Sequence, residues 1–292
     1  MSWQLAIMLS IFANVVTNLI QRRYAQRSKV PETIPTALSY LLGVMPVGIV
    51  VGLLLPHHIT WNYILVGLLI LCASSMAIGH WLGFKAVKRM SVTPYQTINR
   101  FTSVVTIGLG WIVLSETLGV NQLIGAIILF IAAIIAIWAP TRNTDKELGR
   151  VHLAASLLAL VACTFVAIGL VAEKAMLDYV QVGAILIVCW GSQTVAMSLL
   201  MLKDLNSKTL SELRGYEVKQ SFWMGLANGV SGAFYVYALS QSDNISVITA
   251  LTAVSLPLTI LGARYLLKEQ ERSKFLWLSL GLCFIGLLVS SL

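Results

Sequence analysis

The chain has 292 residues, of which 58% are hydrophobic and only 11% charged, with a formal net charge of +8. Soluble domains carry about 25% charged residues, so a water-facing surface of ordinary composition is excluded, in keeping with a mean hydropathy of +0.83. The length is ample for a large bundle, and the positions of the basic residues decide what their excess means.

Crossing a hydrocarbon core of ~30 Å takes ~20 mostly apolar residues in a helix. Runs of that kind fall at about 3–21, 34–55, 61–84, 92–115, 118–139, 151–172, 179–202, 220–241, 244–267 and 273–291. The first, Trp3 to Ile20, has no Lys or Arg before it and Arg22 and Arg23 after it, which predicts a retained helix rather than a signal peptide. Polar stretches separate the runs: Gln21 to Glu32, Pro56 to His58, Lys85 to Arg89, the short turn around Glu116 and Gly119, Pro140 to Arg150, Glu173 with Lys174, Lys203 to Lys219, Asp243 with Asn244, and Lys268 to Arg272. Backbone groups in lipid must be satisfied within the segment, which leaves helices or a closed barrel, and apolar runs this long do not fit the alternating strands of a barrel. The predicted fold class is all-α: a polytopic membrane protein of ten transmembrane helices.

Basic residues concentrate in alternate loops and their flanks. Arg22, Arg23, Arg27 and Lys29 follow the first run; Lys85, Lys88 and Arg89 the third; Arg142, Lys146 and Arg150 the fifth; Lys203, Lys208, Arg214 and Lys219 the seventh; Arg264, Lys268, Arg272 and Lys274 the ninth. These are 18 of the 20 Lys and Arg; the others are Lys174 and Arg100. The positive-inside rule then puts these loops in the cytoplasm and both termini outside, across a plasma (inner) membrane. The basic balance is topogenic, with anionic lipid headgroups as a secondary partner and no nucleic acid.

The four cysteines, Cys72, Cys163, Cys189 and Cys283, lie far apart within apolar runs at spacings that suit no metal. They read as small packing residues without disulfides, and no cofactor is expected.

The segment from Ser103 to Ile137 is weakly similar to that from Pro257 onward at an offset of 154, which sets Glu116 on Gln270, beside Glu269. Repeating an odd number of helices inverts the second copy, so equivalent loops should differ in basicity. They do: the loop after helix one has four basic residues and that after helix six has one, and the loops after helices two and seven have none and four. Two inverted five-helix repeats are predicted, residues 1–140 and 151–292, joined by a cytoplasmic linker, residues 141–150.

The ends of these halves, Leu114-Ser115-Glu116-Thr117-Leu118 with Gln122 and Gly125-Ala126, and Pro257 through Lys268-Glu269 with Gly281 and Gly286, resemble the drug/metabolite transporter superfamily in its ten-helix EamA-type branch. Thr93-Pro94, opening the helix before the acid, is similar to family members as well. The chain departs from the pattern at Ser103, where the first half lacks a mid-helix Pro, and at Arg100. The resemblance implies an exporter of small molecules with both termini inside; on the termini, the charge distribution is followed here.

No phosphate-binding loop or catalytic triad occurs, and His57, His58, His80 and His152 are scattered, so an enzyme is not expected. The informative residue is Arg100. If the fourth helix starts near Pro94, Arg100 lies ~9–13 Å along it, where a charge is expensive and should face protein or water. Two readings stand: a cavity residue binding a carboxylate or phosphate, or a side chain that snorkels to the interface or ties helix carbonyls together. Tyr95 and Asn99 sit one turn apart on the same half-helix. Asn14 and Asn18, four apart on helix one, with Trp81, His80, Asn228, Tyr235 and Gln193, are further candidates for a binding site, or else interhelical glue. Glu116 and Pro257 are candidates for coupling or gating, Pro257 as a kink. No acid lies mid-span, and Glu116 and Glu173 stand at span ends. The expected function is secondary transport, with export of amino acids or related small anionic or zwitterionic metabolites, the alternatives being a multidrug or organic-cation exporter and a non-transporting membrane receptor or assembly protein. The expected partners are a small-molecule substrate and the lipid bilayer, the chain being a monomer or homodimer.

Overall fold

Ser2 caps the first helix by accepting the Leu5 N–H on its hydroxyl at 3.4 Å, and a computed structural model carries the chain on from there as helix after helix. It describes residues 2–117, 119–138, 146–213, 215–241, 245–252, 255–268 and 274–291. The elements are α1 (Trp3–Arg27), α2 (Thr33–Leu54), α3 (Tyr63–Arg89), α4 (Val92–Asn99), α5 (Phe101–Val113), α6 (Val120–Trp138), α7 (Lys146–Met176), α8 (Val182–Leu202), α9 (Ser207–Glu212), α10 (Gly215–Ser240), α11 (Ile245–Thr252), α12 (Ser255–Leu266) and α13 (Lys274–Ser291). Among the described residues there is no strand, only an isolated antiparallel bridge between Ile59 and Val180.

Six of the helices, or parts of them, are long and apolar enough to cross a membrane: α1, α2, α3, α6, residues Val151–Met176 of α7, and α8. The fourth apolar run of the sequence, expected as one helix, is two: α4 ends at Asn99, Arg100 makes the joint, and α5 resumes at Phe101. There the Arg100 N–H reaches the Thr97 carbonyl at 3.2 Å and the Ser103 N–H reaches the Arg100 carbonyl at 3.0 Å, tight three-residue links in place of α-helical ones. The ninth run is described as helix over Ile245–Thr252 and Ser255–Leu266, and Pro257, the expected kink, lies in the second of these stretches, α12.

The packing is that of an inside-out bundle. Large apolar side chains face outward, with Leu54, Ile112, Val120 and Leu266 each 70% exposed or more, while the interior collects small and polar groups, as helix association in lipid favours. α3 lies along α7 and α1 along α10, α6 packs on α13, and α2 touches both α8 and α10. At the crossing of α2 and α10 the backbones meet: a Cβ on Gly225 would overlap the Ser39 carbonyl, and one on Gly43 would overlap the Gly225 backbone.

Several local features occur in pairs along the chain. A π-helical turn interrupts α2 at Tyr40–Val44 and α8 at Ile185–Cys189. Ser115 and Lys268, the non-glycine residues with positive φ among those described, both have φ of 55° and stand 153 positions apart. An interval of 153 rather than the 154 read from the sequence sets Glu116 on Glu269 and removes the slip of one between the two acids.

The glycine contacts predict that Gly225→Ala, which forces α10 away from α2, lowers stability by about 1–3 kcal/mol. Gly67→Ala, where a Cβ meets nothing within 4 Å, should be neutral or raise it by up to about 1 kcal/mol. Thermal unfolding of both variants in detergent checks the contrast.

Candidate functional site

A cavity of about 220 Å³ lies among the helices, lined from α1, α2, α3, α7, α8, α10, α11 and the α4–α5 joint. Arg100 reaches it from that joint. Its side chain is 7% exposed, so it does not snorkel to an interface. One guanidinium nitrogen, Nη2, donates to Ser255 Oγ at 3.1 Å and to Gln96 Oε1 at 3.4 Å, and Nε has no partner. Both partners are neutral, and no acid among the described residues forms an ion pair with Arg100; the described ion pair, Lys88 with Glu32 at 3.6 Å, lies elsewhere. A buried cation held only by neutral oxygens keeps much of its capacity to bind an anion, since desolvation strengthens whatever charge is brought to it.

Of the other residues expected at a site, Asn99, His80, Asn14, Asn228 and Tyr235 also line the cavity. Asn99 takes a long contact from the Cys163 thiol at 3.6 Å. The His80 ring stands 5.6 Å from that of Tyr40, which lines the cavity from the π-turn of α2. Three expected residues stand off the wall. Asn18 lies one turn beyond it and donates to Asn14 Oδ1 at 2.8 Å, orienting that amide. Tyr95 is buried with Tyr24 and Phe84, its hydroxyl against Gly83. Trp81, next to His80 but a hundred degrees around the helix, has the Lys85 ammonium 5.4 Å from its ring. Glu116 is at a helix end rather than in the cavity, where Oε1 accepts the Ile245 N–H at 2.8 Å and so caps α11.

Two groupings were not legible in the sequence. Cys72 on α3 and Cys189 on α8 have their sulfurs 3.5 Å apart, bridged by the Gln193 amide at 3.4 and 3.3 Å; a separation of 117 positions gave no hint of it. Glu173, counted above as an end-of-span acid, turns inward. It is 3% exposed and accepts the indole N–H of Trp190, a cavity residue, at 3.3 Å. Ser10, Ser231, Thr102, Ser103 and Thr252 add hydroxyls to the wall.

An interior cavity with a buried cation held by neutral oxygens, small hydroxyls and aromatic faces, inside a bundle whose outer surface is apolar, is a place to hold a small solute. Comparison with known proteins agrees. Residues 1–138 match the model of the EamA-like transporter family. That family is part of the drug/metabolite transporter superfamily, and the match covers just under half of the chain. Together with the six apolar helices, the match supports a multi-pass membrane protein similar to a family of transporters, one that implies a small-molecule substrate and the lipid bilayer as partners and is typically without enzymatic activity. A solved structure described as "Crystal structure of protein" shares the fold, with a TM-score of 0.71 and 15% identity over 98% of each chain. No curated protein matches.

Removing the Ser255 hydroxyl leaves a buried guanidinium N–H without its shortest partner. Ser255→Ala is therefore expected to lower stability by about 1–3 kcal/mol, measured as a fall in unfolding midpoint, whereas Thr164→Ala, whose hydroxyl only back-bonds to Leu160 within its own helix, should change it little.

Proposed function

We propose that the protein is a secondary carrier that exports amino acids or related small anionic or zwitterionic metabolites by alternating access. The observation that carries the reading is Arg100: buried, on the cavity wall, with no carboxylate of the described chain to neutralise it. An arginine within a membrane is costly enough to call for a partner, and its planar fork suits a carboxylate or phosphate. In this reading the chain crosses the plasma membrane ten times in two inverted five-helix halves, residues 1–140 and 151–292, with residues 141–150 as the cytoplasmic linker and both termini outside. The paired π-turns and the 153-residue interval between the positive-φ residues support the repeat, and the loop charges support the orientation. Halves of this kind move by rocking about a central site.

A multidrug or organic-cation exporter is the second reading. The aromatic faces of Tyr40, Trp190 and Tyr235 and the inward-facing Glu173 favour it, because rings and a carboxyl group attract cations.

Uptake by proteoliposomes of amino acids, organic anions and organic cations separates the two. Acids and zwitterions should be transported, with Arg100→Ala reducing the rate by about 100-fold, the size expected for a lost charge-assisted pair of ~3 kcal/mol, and Arg100→Lys by less. Transport of cations that survives Arg100→Ala would refute the anionic reading. Orientation is checked by an impermeant thiol reagent on a terminal cysteine in intact cells, which should label it; protection would reverse the assigned sides.

A further inference from the structure

The two loops that join α2 to α3 and α7 to α8 are tied together by their main chains. The Thr60 N–H donates to the Tyr179 carbonyl at 2.9 Å, Gln181 N–H to His58 at 3.0 Å and Gly183 N–H to Pro56 at 2.9 Å. The Gln181 side chain accepts the His58 N–H at 3.0 Å. Ile59 and Val180 face each other in the middle as an antiparallel bridge. Below the loops, Gly52 and Gly183 bring α2 and α8 into backbone contact: a Cβ on Gly183 would lie 2.5 Å from the Gly52 carbonyl oxygen. At the same end of the bundle, Glu116 holds the start of α11. Each of these ties runs between the first 140 residues and the last 142, and all lie at the end remote from most of the Lys and Arg.

We propose that this clasp, residues 56–60 against 179–183, is the gate that seals the cavity on that face, and that its parting is the opening step of transport. The inference rests on the alternating-access reading above. Three main-chain bonds and a side-chain bond, each with a net worth of about 0.5–1.5 kcal/mol, suit a gate: His58 and Gln181 are exposed, so water can replace each bond as it breaks. A seam of lipid-buried backbone groups would have no such replacement. The Gly52–Gly183 contact lets the two backbones close flush at this point.

Geometry supplies the test. With the bonds running from 60 to 179 and from 181 to 58, Ile59 and Val180 form a non-hydrogen-bonded antiparallel pair, whose Cα atoms lie ~4.5 Å apart, within the range a disulfide spans. The pair Ile59→Cys and Val180→Cys is placed in a chain whose four cysteines are changed to Ser, with Met76→Cys on the cavity wall as reporter. Disulfide formation, read by mass, shows the loops folded in place. An impermeant maleimide is then applied to the clasp face of sealed vesicles, and uptake of radiolabelled alanine and succinate is followed in parallel. Under reducing conditions the reporter should label from the clasp face. Oxidation should cut that labelling, and any uptake, by about tenfold or more, and dithiothreitol should restore both. Labelling and uptake unchanged by the disulfide would overturn the proposal and make the clasp a permanent tie, as would a reporter that never labels from this face when reduced. Labelling controlled by the disulfide with neither solute taken up would sustain the gate while counting against the assigned substrates.

Discussion

A guanidinium buried with neutral partners is the constraint around which the rest of the interior is arranged. Moving a charge out of water costs several kcal/mol even after relaxation, and Arg100 recovers part of this from Ser255 and Gln96. Ser255 lies on α12 while Gln96 lies on α4, so the cation fastens the joint of the fourth run to the ninth. The backbone break at Arg100 belongs to the same solution. Irregular backbone at membrane depth is tolerable where it lines a cavity or is buried in protein, and the break sits on the cavity wall. Charge, break and cavity meet at one place: a filled cavity would leave the cation without room for a counter-charge.

The paired features of the fold have a physical logic beyond symmetry. π-turns at Tyr40–Val44 and Ile185–Cys189 set one extra residue into each of α2 and α8, turning the side chains that follow by about 100°. In α2 the turn itself carries Tyr40 and Val44 to the cavity; in α8 it delivers Trp190, the next residue, and then Gln193. Two helices that stay in contact through their π-turns thus each present an aromatic group to a shared space.

Much of the fold was legible in the sequence because its strongest determinant is solvent. The six long apolar helices lie close to predicted runs, and the loops fall where polar punctuation stood. The site was legible only as far as one-dimensional signals reach. Arg100 stood out because a lone charge in an apolar run is expensive anywhere, whatever surrounds it. Trp81 and His80 are adjacent, yet helical phase allows only one of them to face the cavity, and periodicity could not say which. Asn14 and Asn18 do share a face, but the cavity ends between them, so Asn18 serves through its bond to Asn14. Cys72 with Cys189, and Glu173 with Trp190, are contacts between helices far apart in the chain or packed end to end, for which local pattern carries no information.

The interval of 153 residues shows how structure corrects sequence at the finest level. The weak similarity between the segments, read at an offset of 154, set Ser103 on Pro257 and left Glu116 one position from Glu269. The positive φ at Ser115 and Lys268 marks the same turn in both halves independently of residue type. A non-glycine residue in that region is uncommon and has to be held there by its surroundings, so its recurrence is evidence of a shared backbone path. Brought into this register, Glu116 and Glu269 become equivalent in sequence. Glu116 caps α11 of the opposite half, and a carboxylate at a helix N-terminus is favourable on both hydrogen-bonding and dipole grounds. The acid at the helix end thus has a structural purpose of its own, tying the turn after α5 to the start of α11, and so needs no place in the cavity to account for its presence.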